Sequence, residues 1–147
     1  MEELMTVAQI LAAKGRSVVT IPPNKTLMEA AQLLAERRIG AVVVVDEGGK
    51  VLGILSERDI VREIAKAGLD ALKEGVSRHM TEKVVTCTSA SAITDIMGIM
   101  TEGKFRHLPV VEDGKLTGLV SIGDVVKYRV AEIEAEHKAM REYIAMA

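Results

Sequence analysis

Two copies of one short motif constrain the fold of this chain more than any other feature of its sequence. The residues read GILSERD at positions 53–59 and GLVSIGD at positions 118–124. In each copy an apolar, strand-like run ends at a Ser that is suited to begin a helix, and an Asp follows three positions later. The pattern therefore brings a hydroxyl, free backbone N–H groups and a carboxylate together, twice.

The duplication extends to the sequence before each motif. The β-branched run at residues 18–21 is matched by residues 84–87, and the apolar run at 42–45 by 108–111. The copies are offset by 66 positions before the hairpin turn and by 65 after it, so a single one-residue gap aligns them. Each copy is predicted to follow the order strand, helix, hairpin, helix.

The first long helix of the first copy carries signals at both ends. Thr26 is a suitable N-cap and is followed by Glu29, the spacing of a capping box. Gly40 is predicted to end this helix. The next strand, Ala41–Val45, has no polar residue, which predicts burial on both faces.

The predicted fold class is α+β, with two β-α-β-β-α repeats between an N-terminal helix and a long C-terminal helix. The predicted boundaries are an N-terminal helix within 1–16, beginning near Leu4, a first repeat at 17–68, a linker at 69–82, a second repeat at 83–130 and a helical extension at 131–147. A repeat of fewer than about 70 residues has a marginal core of its own. We therefore expect the repeats to pack about a pseudo-two-fold axis and to form ligand clefts at their interface.

The predicted last helix carries an apolar stripe of heptad type. Its members recur at steps of four and three residues: Val126, Val130, Ile133, His137, Met140 and Ile144. The stripe indicates packing either on the chain's own core or on a second subunit. The length of the helix beyond the repeat favours a homodimer.

Composition and charge exclude several classes of partner. Acidic and basic residues are interleaved, the net charge is -2 and aromatic residues make up 2% of the chain, so neither a nucleic acid nor a membrane surface is predicted as a partner. The single cysteine, Cys87, excludes an internal disulfide and favours a reducing compartment. With no leader-like or membrane-spanning pattern, the prediction is a cytoplasmic protein.

The two copies together resemble a tandem pair of cystathionine-β-synthase (CBS) domains, also called a Bateman module. The resemblance rests on the duplicated Gly-apolar-apolar-Ser-x-x-Asp ending and on the LPVV sequence at 108–111, and it covers roughly residues 4–130. It implies a free-standing regulatory module that binds AMP, ATP, NAD or S-adenosylmethionine, with no required cofactor. It also implies an unidentified regulated protein as partner.

Candidate ligand contacts follow from the motif and from the resemblance. A carboxylate accepts hydrogen bonds from both vicinal hydroxyls of a ribose, which assigns one ribose each to Asp59 and Asp124. Ser56 and Ser121 lie at helix starts, where a phosphate is favoured. Arg58 and Arg106 are candidate phosphate partners. The family pattern adds contacts to adenine near Val18, Thr20, Val84, Thr86, Gly40, Ala41, Arg106 and His107.

Each assignment has a structural alternative. Ser followed by an acidic residue at the third helical position is also a capping box, and capping and binding are compatible. Arg58 and Arg106 are alternatively solvated arginines, and His107 is alternatively a satisfied polar contact. Cys87 is predicted to be a buried apolar residue.

The sequence leaves three classes of function in competition. The favoured hypothesis is a non-enzymatic sensor with two unequal adenosine sites, because the first motif contains Arg58 where the second has Gly123. A nucleotide-acting enzyme is the first alternative, although no phosphate loop, acid–base pair or metal-ligand spacing is evident, and no metal or catalytic residue is predicted. An assembly or nucleic-acid-binding protein with vestigial clefts is the second.

Overall fold

The computed structural model describes residues 5–146, which form helices and short strands in the predicted order except for the first strand of the second copy. The elements are α1 (Val7–Lys14), β1 (Thr20–Ile21), α2 (Leu27–Arg37), β2 (Ala41–Val45), β3 (Val51–Ser56), α3 (Glu57–Ala67), a 3₁₀ helix (Leu69–Lys73), α4 (Val76–His79), α5 (Ile93–Gly103), β4 (His107–Glu112), β5 (Lys115–Ser121) and α6 (Ile122–Met146). The predicted α+β class, with two repeats and a long last helix, is confirmed. The predicted start of α1 at Leu4 lies outside the described residues, and α1 begins at Val7.

The chain divides into two compact units. Of the described residues, the first-repeat unit comprises 17–86 and 111–117, and the second-repeat unit comprises 5–16, 87–110 and 118–146. The N-terminal helix α1 therefore belongs to the second-repeat unit.

A three-stranded sheet with the order β1-β2-β3 forms the centre of the first-repeat unit. β1 is parallel to β2, and β2 is antiparallel to β3 with Ala41 opposite Ser56. Four of the five β2 residues are buried, so the predicted burial of both faces is confirmed. The pairing of Ala41 with Ser56 brings the start of β2 to the end of the motif strand.

Helices α2 and α3 cover the sheet and complete an aliphatic core. The buried members are Ile21, Leu27, Ala30, Leu34, Val42, Val44, Leu55, Ile60 and Val76. Thr26 and Glu29 form the predicted capping box of α2, in which the Glu29 N–H donates to Thr26 Oγ1 at 3.1 Å.

The predicted end of α2 at Gly40 is wrong. The helix ends at Arg37, and Arg38 adopts a left-handed conformation with φ of 54°. The next N–H, of Ile39, donates to Leu34 O at 3.1 Å, and the Ile39 side chain packs on the core. A helix end at this point satisfies a terminal carbonyl and turns an apolar residue inward, a combination that a search for glycine misses.

The second-repeat unit repeats the helices but not the first strand. Only Cys87 of the predicted strand at 84–87 makes a β-bridge, which is parallel and pairs it with Val110. Its N–H donates to Pro109 O at 3.0 Å. The first-copy strand is also shorter than predicted, since β1 contains only Thr20 and Ile21 of the run 18–21.

Both motif glycines are required by close packing. A Cβ on Gly53 would lie 2.8 Å from the backbone oxygen of Thr81 and 2.7 Å from Met80 Sδ. A Cβ on Gly118 would lie 2.7 Å from Leu11 Cδ2 of α1. The glycine of each motif thus allows another segment of the same unit to approach the strand that carries the Ser and Asp.

Candidate functional site

Ser56 and Asp59 hold each other at the N-terminus of α3. The Ser56 N–H donates to Asp59 Oδ2 at 2.9 Å, and the Asp59 N–H donates to Ser56 Oγ at 3.2 Å. The capping box that the sequence offers as an alternative is therefore confirmed here. The other carboxylate oxygen, Oδ1, lies 3.5 Å from Arg62 Nη1, in an ion pair with an exposed arginine side chain.

Ser121 and Asp124 repeat this geometry at the N-terminus of α6. The Ser121 N–H donates to Asp124 Oδ2 at 2.9 Å, and the Asp124 N–H donates to Ser121 Oγ at 3.1 Å. Because the same two hydrogen bonds recur, the two carboxylates are fixed at their helix starts in the same way.

Lys14 distinguishes the second copy from the first. Its Nζ lies 2.6 Å from Asp124 Oδ2, although the two residues are 110 positions apart in the sequence. Partial burial favours a higher pKa for Asp124. The hydrogen bond from Lys14, the Ser121 N–H and the positive charge of Lys14 outweigh this effect and hold the pKa of Asp124 below its ordinary value.

Sequence reasoning missed Lys14. It lies in the last turn of α1, where a basic residue is common because it complements the helix dipole. No spacing or motif connects it with residues 118–124. Only the packing of α1 beside β5, at Leu11 and Gly118, explains why it reaches Asp124.

Two further candidate residues are joined to the helix starts through their backbone. Gly40 O accepts a hydrogen bond from the Glu57 N–H at 2.9 Å, and Arg106 O accepts one from the Ile122 N–H at 2.8 Å. Each bond uses the first N–H of α3 or of α6. The residue before the central strand of each repeat is thereby held against the helix that carries the Asp.

The remaining candidate residues are more dispersed. The side chains of Arg58 and Arg106 are exposed. His107, at the start of β4, is half-buried, Ala41 is buried in β2, and Thr20 pairs with Val43 across the sheet. Val18, Val84 and Thr86 lie outside the helices and strands, and the two valines are half-buried.

A cavity of about 460 Å³ lies in the first-repeat unit between α2 and α3. It is lined by Ala31, Leu34, Ala35, Arg38, Ile39, Gly40, Glu57, Ile60 and Val61. Its volume is within the range of small-molecule sites. Glu57, Ile60 and Val61 form the face of α3 that lines it, whereas Asp59 does not line it, so the cavity and the carboxylate are separate features of one helix.

Other chemically active groups serve structural roles. Cys87 is buried, and burial raises the pKa of its thiol to about 11, which confirms an apolar rather than a nucleophilic residue. The His79 ring contacts Glu74 and Glu63 within the first-repeat unit.

Among residues 5–146 no group of three or more His, Cys, Asp or Glu side chains is arranged to hold a metal ion. No helix in the same range has the length and apolar character needed to cross a membrane.

Comparisons with known proteins agree with this duplicated architecture. The CBS domain family model matches residues 7–66 and again 76–131. The mitochondrial CBS domain-containing protein CBSX3 of Arabidopsis thaliana is 33% identical over 150 aligned positions, covering 97% of this chain and 73% of the relative. A CBS-domain protein of Agrobacterium tumefaciens has a crystal structure that matches with a TM-score of 0.82 at 50% identity, covering 85% of this chain and 99% of that one.

A third match includes ligands. The CBS domain pair of protein MJ0100, crystallised in complex with 5′-methylthioadenosine and S-adenosyl-L-methionine, matches with a TM-score of 0.78 at 25% identity, covering 88% of this chain and 99% of that one. The repeats and their capped aspartates define a small module built from two similar α+β units. The chain belongs to the CBS domain family and carries two CBS domains in tandem.

Proposed function

We propose that this protein is a non-enzymatic regulatory module that binds adenosine-containing ligands of the AMP, ATP, NAD or S-adenosylmethionine class. The observation that carries the proposal is the identical placement of two carboxylates. In each copy, Asp Oδ2 accepts the N–H of the helix-capping Ser at 2.9 Å. The complex of the related MJ0100 pair with two adenosine compounds supports this ligand class.

The geometry suits recognition of a ribose. A ribose presents two adjacent hydroxyl donors, and a carboxylate offers acceptor positions on both oxygens, even when one oxygen already accepts a backbone N–H. The capping Ser fixes the carboxylate rotamer before a ligand arrives, which lowers the entropic cost of binding. The adjacent helix N-terminus favours a phosphate on the same nucleoside.

Regulation requires that a ligand bind one state of the protein more tightly than another. Lys14 provides a contact that can report occupancy, because its ammonium lies beside the Asp124 carboxylate and can also attract the phosphate of a ligand bound there. Since Lys14 lies at the end of α1, this attraction acts directly on the N-terminal helix. An unidentified protein partner would read the resulting change.

Calorimetric titration with AMP, ATP, NAD and S-adenosylmethionine tests this proposal. Asp59→Asn and Asp124→Asn retain an oxygen that accepts the Ser N–H but remove the charge, so the caps persist while the ribose contact weakens. We expect each change to weaken binding at its own site about tenfold or more, the value of one charged hydrogen bond. Asp70→Asn is the control, because the Asp70 side chain is 91% exposed.

Unchanged affinity in the Asp59→Asn/Asp124→Asn double variant would contradict the ribose assignment. Absence of binding by all four compounds would contradict the ligand class itself. Chromatography of each nucleotide after incubation with the protein tests the enzyme alternative, and turnover would replace the regulatory proposal.

A further inference from the structure

Helix α6 carries most of the large apolar side chains that are exposed among the described residues. Of the eleven large apolar side chains that are exposed, eight lie on this helix. They are Ile122, Val126, Val130, Ile133, Met140, Tyr143, Ile144 and Met146. A concentration of this kind on one element marks an interaction surface rather than scattered surface residues.

The apolar residues follow a two-stranded coiled-coil pattern. The α6 seam, which we define as Val126, Val130, Ile133, His137, Met140 and Ile144, occupies successive d and a heptad positions. The exposed fraction is 48% for Val130, 60% for Met140 and 64% for Ile144. The CBS family model ends at residue 131, whereas α6 continues to Met146, so most of the α6 seam lies beyond the family's common module.

Charges beside the α6 seam distinguish the possible orientations of a second helix. With Val126 at d, Arg129 and Glu136 are g residues, while Lys127, Glu134 and Arg141 are e residues. In a parallel pair each g residue faces the e residue five positions later on the partner helix. Arg129 then faces Glu134 and Glu136 faces Arg141, so both contacts join opposite charges. Because Arg129 also lies 2.5 Å from Glu132 and 3.7 Å from Glu136 on its own helix, the contact of Glu136 with Arg141 is the clearer of the two.

An antiparallel pair reverses the sign of these contacts. With Val126 opposite Ile144 of the second copy, the e residues face e residues and the g residues face g residues. Lys127 then meets Arg141, Glu134 meets Glu134 and Glu136 meets Glu136, and all three contacts join like charges. Like charges at these positions oppose pairing.

We propose that the occupant of the α6 seam is a second copy of this chain, paired in parallel and in register as a two-stranded coiled coil. Each a residue then faces the same residue of the second chain, so Ile144 contacts Ile144 and His137 contacts His137. A polar residue at one a position lowers the stability of such a pair but fixes its register and its two-stranded state.

Disulfide trapping of the full-length chain tests the orientation. We expect Ile144→Cys to give a covalent dimer under mild oxidation, because the two thiols meet across the α6 seam. In an antiparallel pair the same residues would be about 27 Å apart, at 1.5 Å per residue over 18 residues. The unmodified protein is one control, since its only thiol, Cys87, is buried. Ala145→Cys is the other, because this exposed residue lies beside the seam and should cross-link far less.

Two outcomes of the trapping experiment would overturn the proposal. One is equal cross-linking of Ile144→Cys and Ala145→Cys, which would indicate random collision. The other is cross-linking of a Val126→Cys/Ile144→Cys double variant when Ile144→Cys alone stays monomeric, which would indicate an antiparallel pair.

Charge reversal provides an independent test by sedimentation equilibrium. Arg141→Glu places two glutamates together in the parallel pair, and we expect dimerisation to weaken about three- to tenfold. Glu136→Arg added to this variant restores the opposite charges and should restore affinity; Glu136→Arg alone is the control for the loss of its 3.7 Å ion pair with Arg129 on the same helix. In an antiparallel pair Arg141→Glu would instead relieve repulsion with Lys127, so tighter association of that variant would contradict the parallel arrangement. Arg129 is left unchanged because its Nη1 lies 2.5 Å from Oε1 of the buried Glu132.

Discussion

At the level of single residues, the ion pair between Lys14 and Asp124 gives the folded protein a predictable response to acid. The pKa of Asp124 is lowered in the folded state, so its charged form is favoured by folding. This contribution is present above the pKa of the unfolded chain, near 3.9, and is lost as pH falls through the lower folded value. The partner that contributes most to the lowering is Lys14.

We therefore predict that Lys14→Met destabilises the protein at pH 7 and that this difference shrinks as the pH falls below the ordinary Asp pKa. The side chains of Lys14 and Asp124 are 38% and 26% exposed, so the difference at pH 7 should be about 0.5–1 kcal/mol, as for surface ion pairs. Urea unfolding at pH 7 and at pH 2 measures it. A stability difference that is as large at pH 2 as at pH 7 would show that the lysine acts through packing of its alkyl chain instead.

Among individual residues, the sequence identified those that act locally and missed those that meet over a distance. The Ser and Asp of each motif are three positions apart, so their mutual hydrogen bonds follow from the start of a helix alone. Lys14 reaches Asp124 only after α1 packs beside β5. The left-handed Arg38 was missed for a related reason, because the burial of Ile39 rather than a glycine decides where α2 ends.

At the level of the elements, glycines separate positions that require close packing from positions that do not. A Cβ added to Gly53 in β3 would meet a backbone oxygen at 2.8 Å, and the backbone cannot yield easily. A Cβ added to Gly98, in the middle of α5, would have no atom within 4 Å, and this glycine is exposed. Neighbouring atoms therefore leave no room for a side chain at Gly53, whereas Gly98 has room for one.

We predict opposite effects of alanine at these two glycines. Gly53→Ala should destabilise the protein by about 1–3 kcal/mol through overpacking. Gly98→Ala should stabilise it by about 0.5–1 kcal/mol, because alanine loses less conformational freedom in a helix. Thermal unfolding of the two variants beside the parent provides the comparison. Equal destabilisation by both changes would argue against the packing that the structure assigns to Gly53.

Sequence patterns were most informative for elements with strong periodicity. The uninterrupted apolar run of β2 and the spacing of α2, α3 and α5 indicated these elements correctly. The strand predicted at 84–87 is reduced to one bridge at Cys87, because strand formation depends on a neighbouring edge that local sequence does not reveal. The sequence repeat correctly predicted that the helices and the hairpin of the first copy recur in the second. It also predicted a first strand in both copies, and the second copy has only the bridge at Cys87.

For the whole molecule, duplication produced two similar helix starts whose charged surroundings differ. Asp59 has the exposed Arg62 at 3.5 Å from Oδ1, whereas Asp124 has Lys14 at 2.6 Å from Oδ2. The closer cation neutralises Asp124 more fully and reduces its repulsion of a phosphate on the same ligand. The proposed adenosine sites should therefore be unequal, with the stronger preference for phosphate at Asp124.

This inequality predicts how ligand selectivity responds to Lys14. In an Asp59→Asn background, which isolates the second site, we expect Lys14→Met to weaken AMP binding about three- to tenfold while 5′-methylthioadenosine, which has no phosphate, changes little. Lys14→Arg keeps the charge and should preserve the selectivity. Calorimetry with the two ligands gives both affinities, and the ratio cancels any shared effect of the change on folding. An equal loss for the two ligands would mean that Lys14 only supports the structure of the site, since a neutral ligand has no phosphate charge for a cation to stabilise.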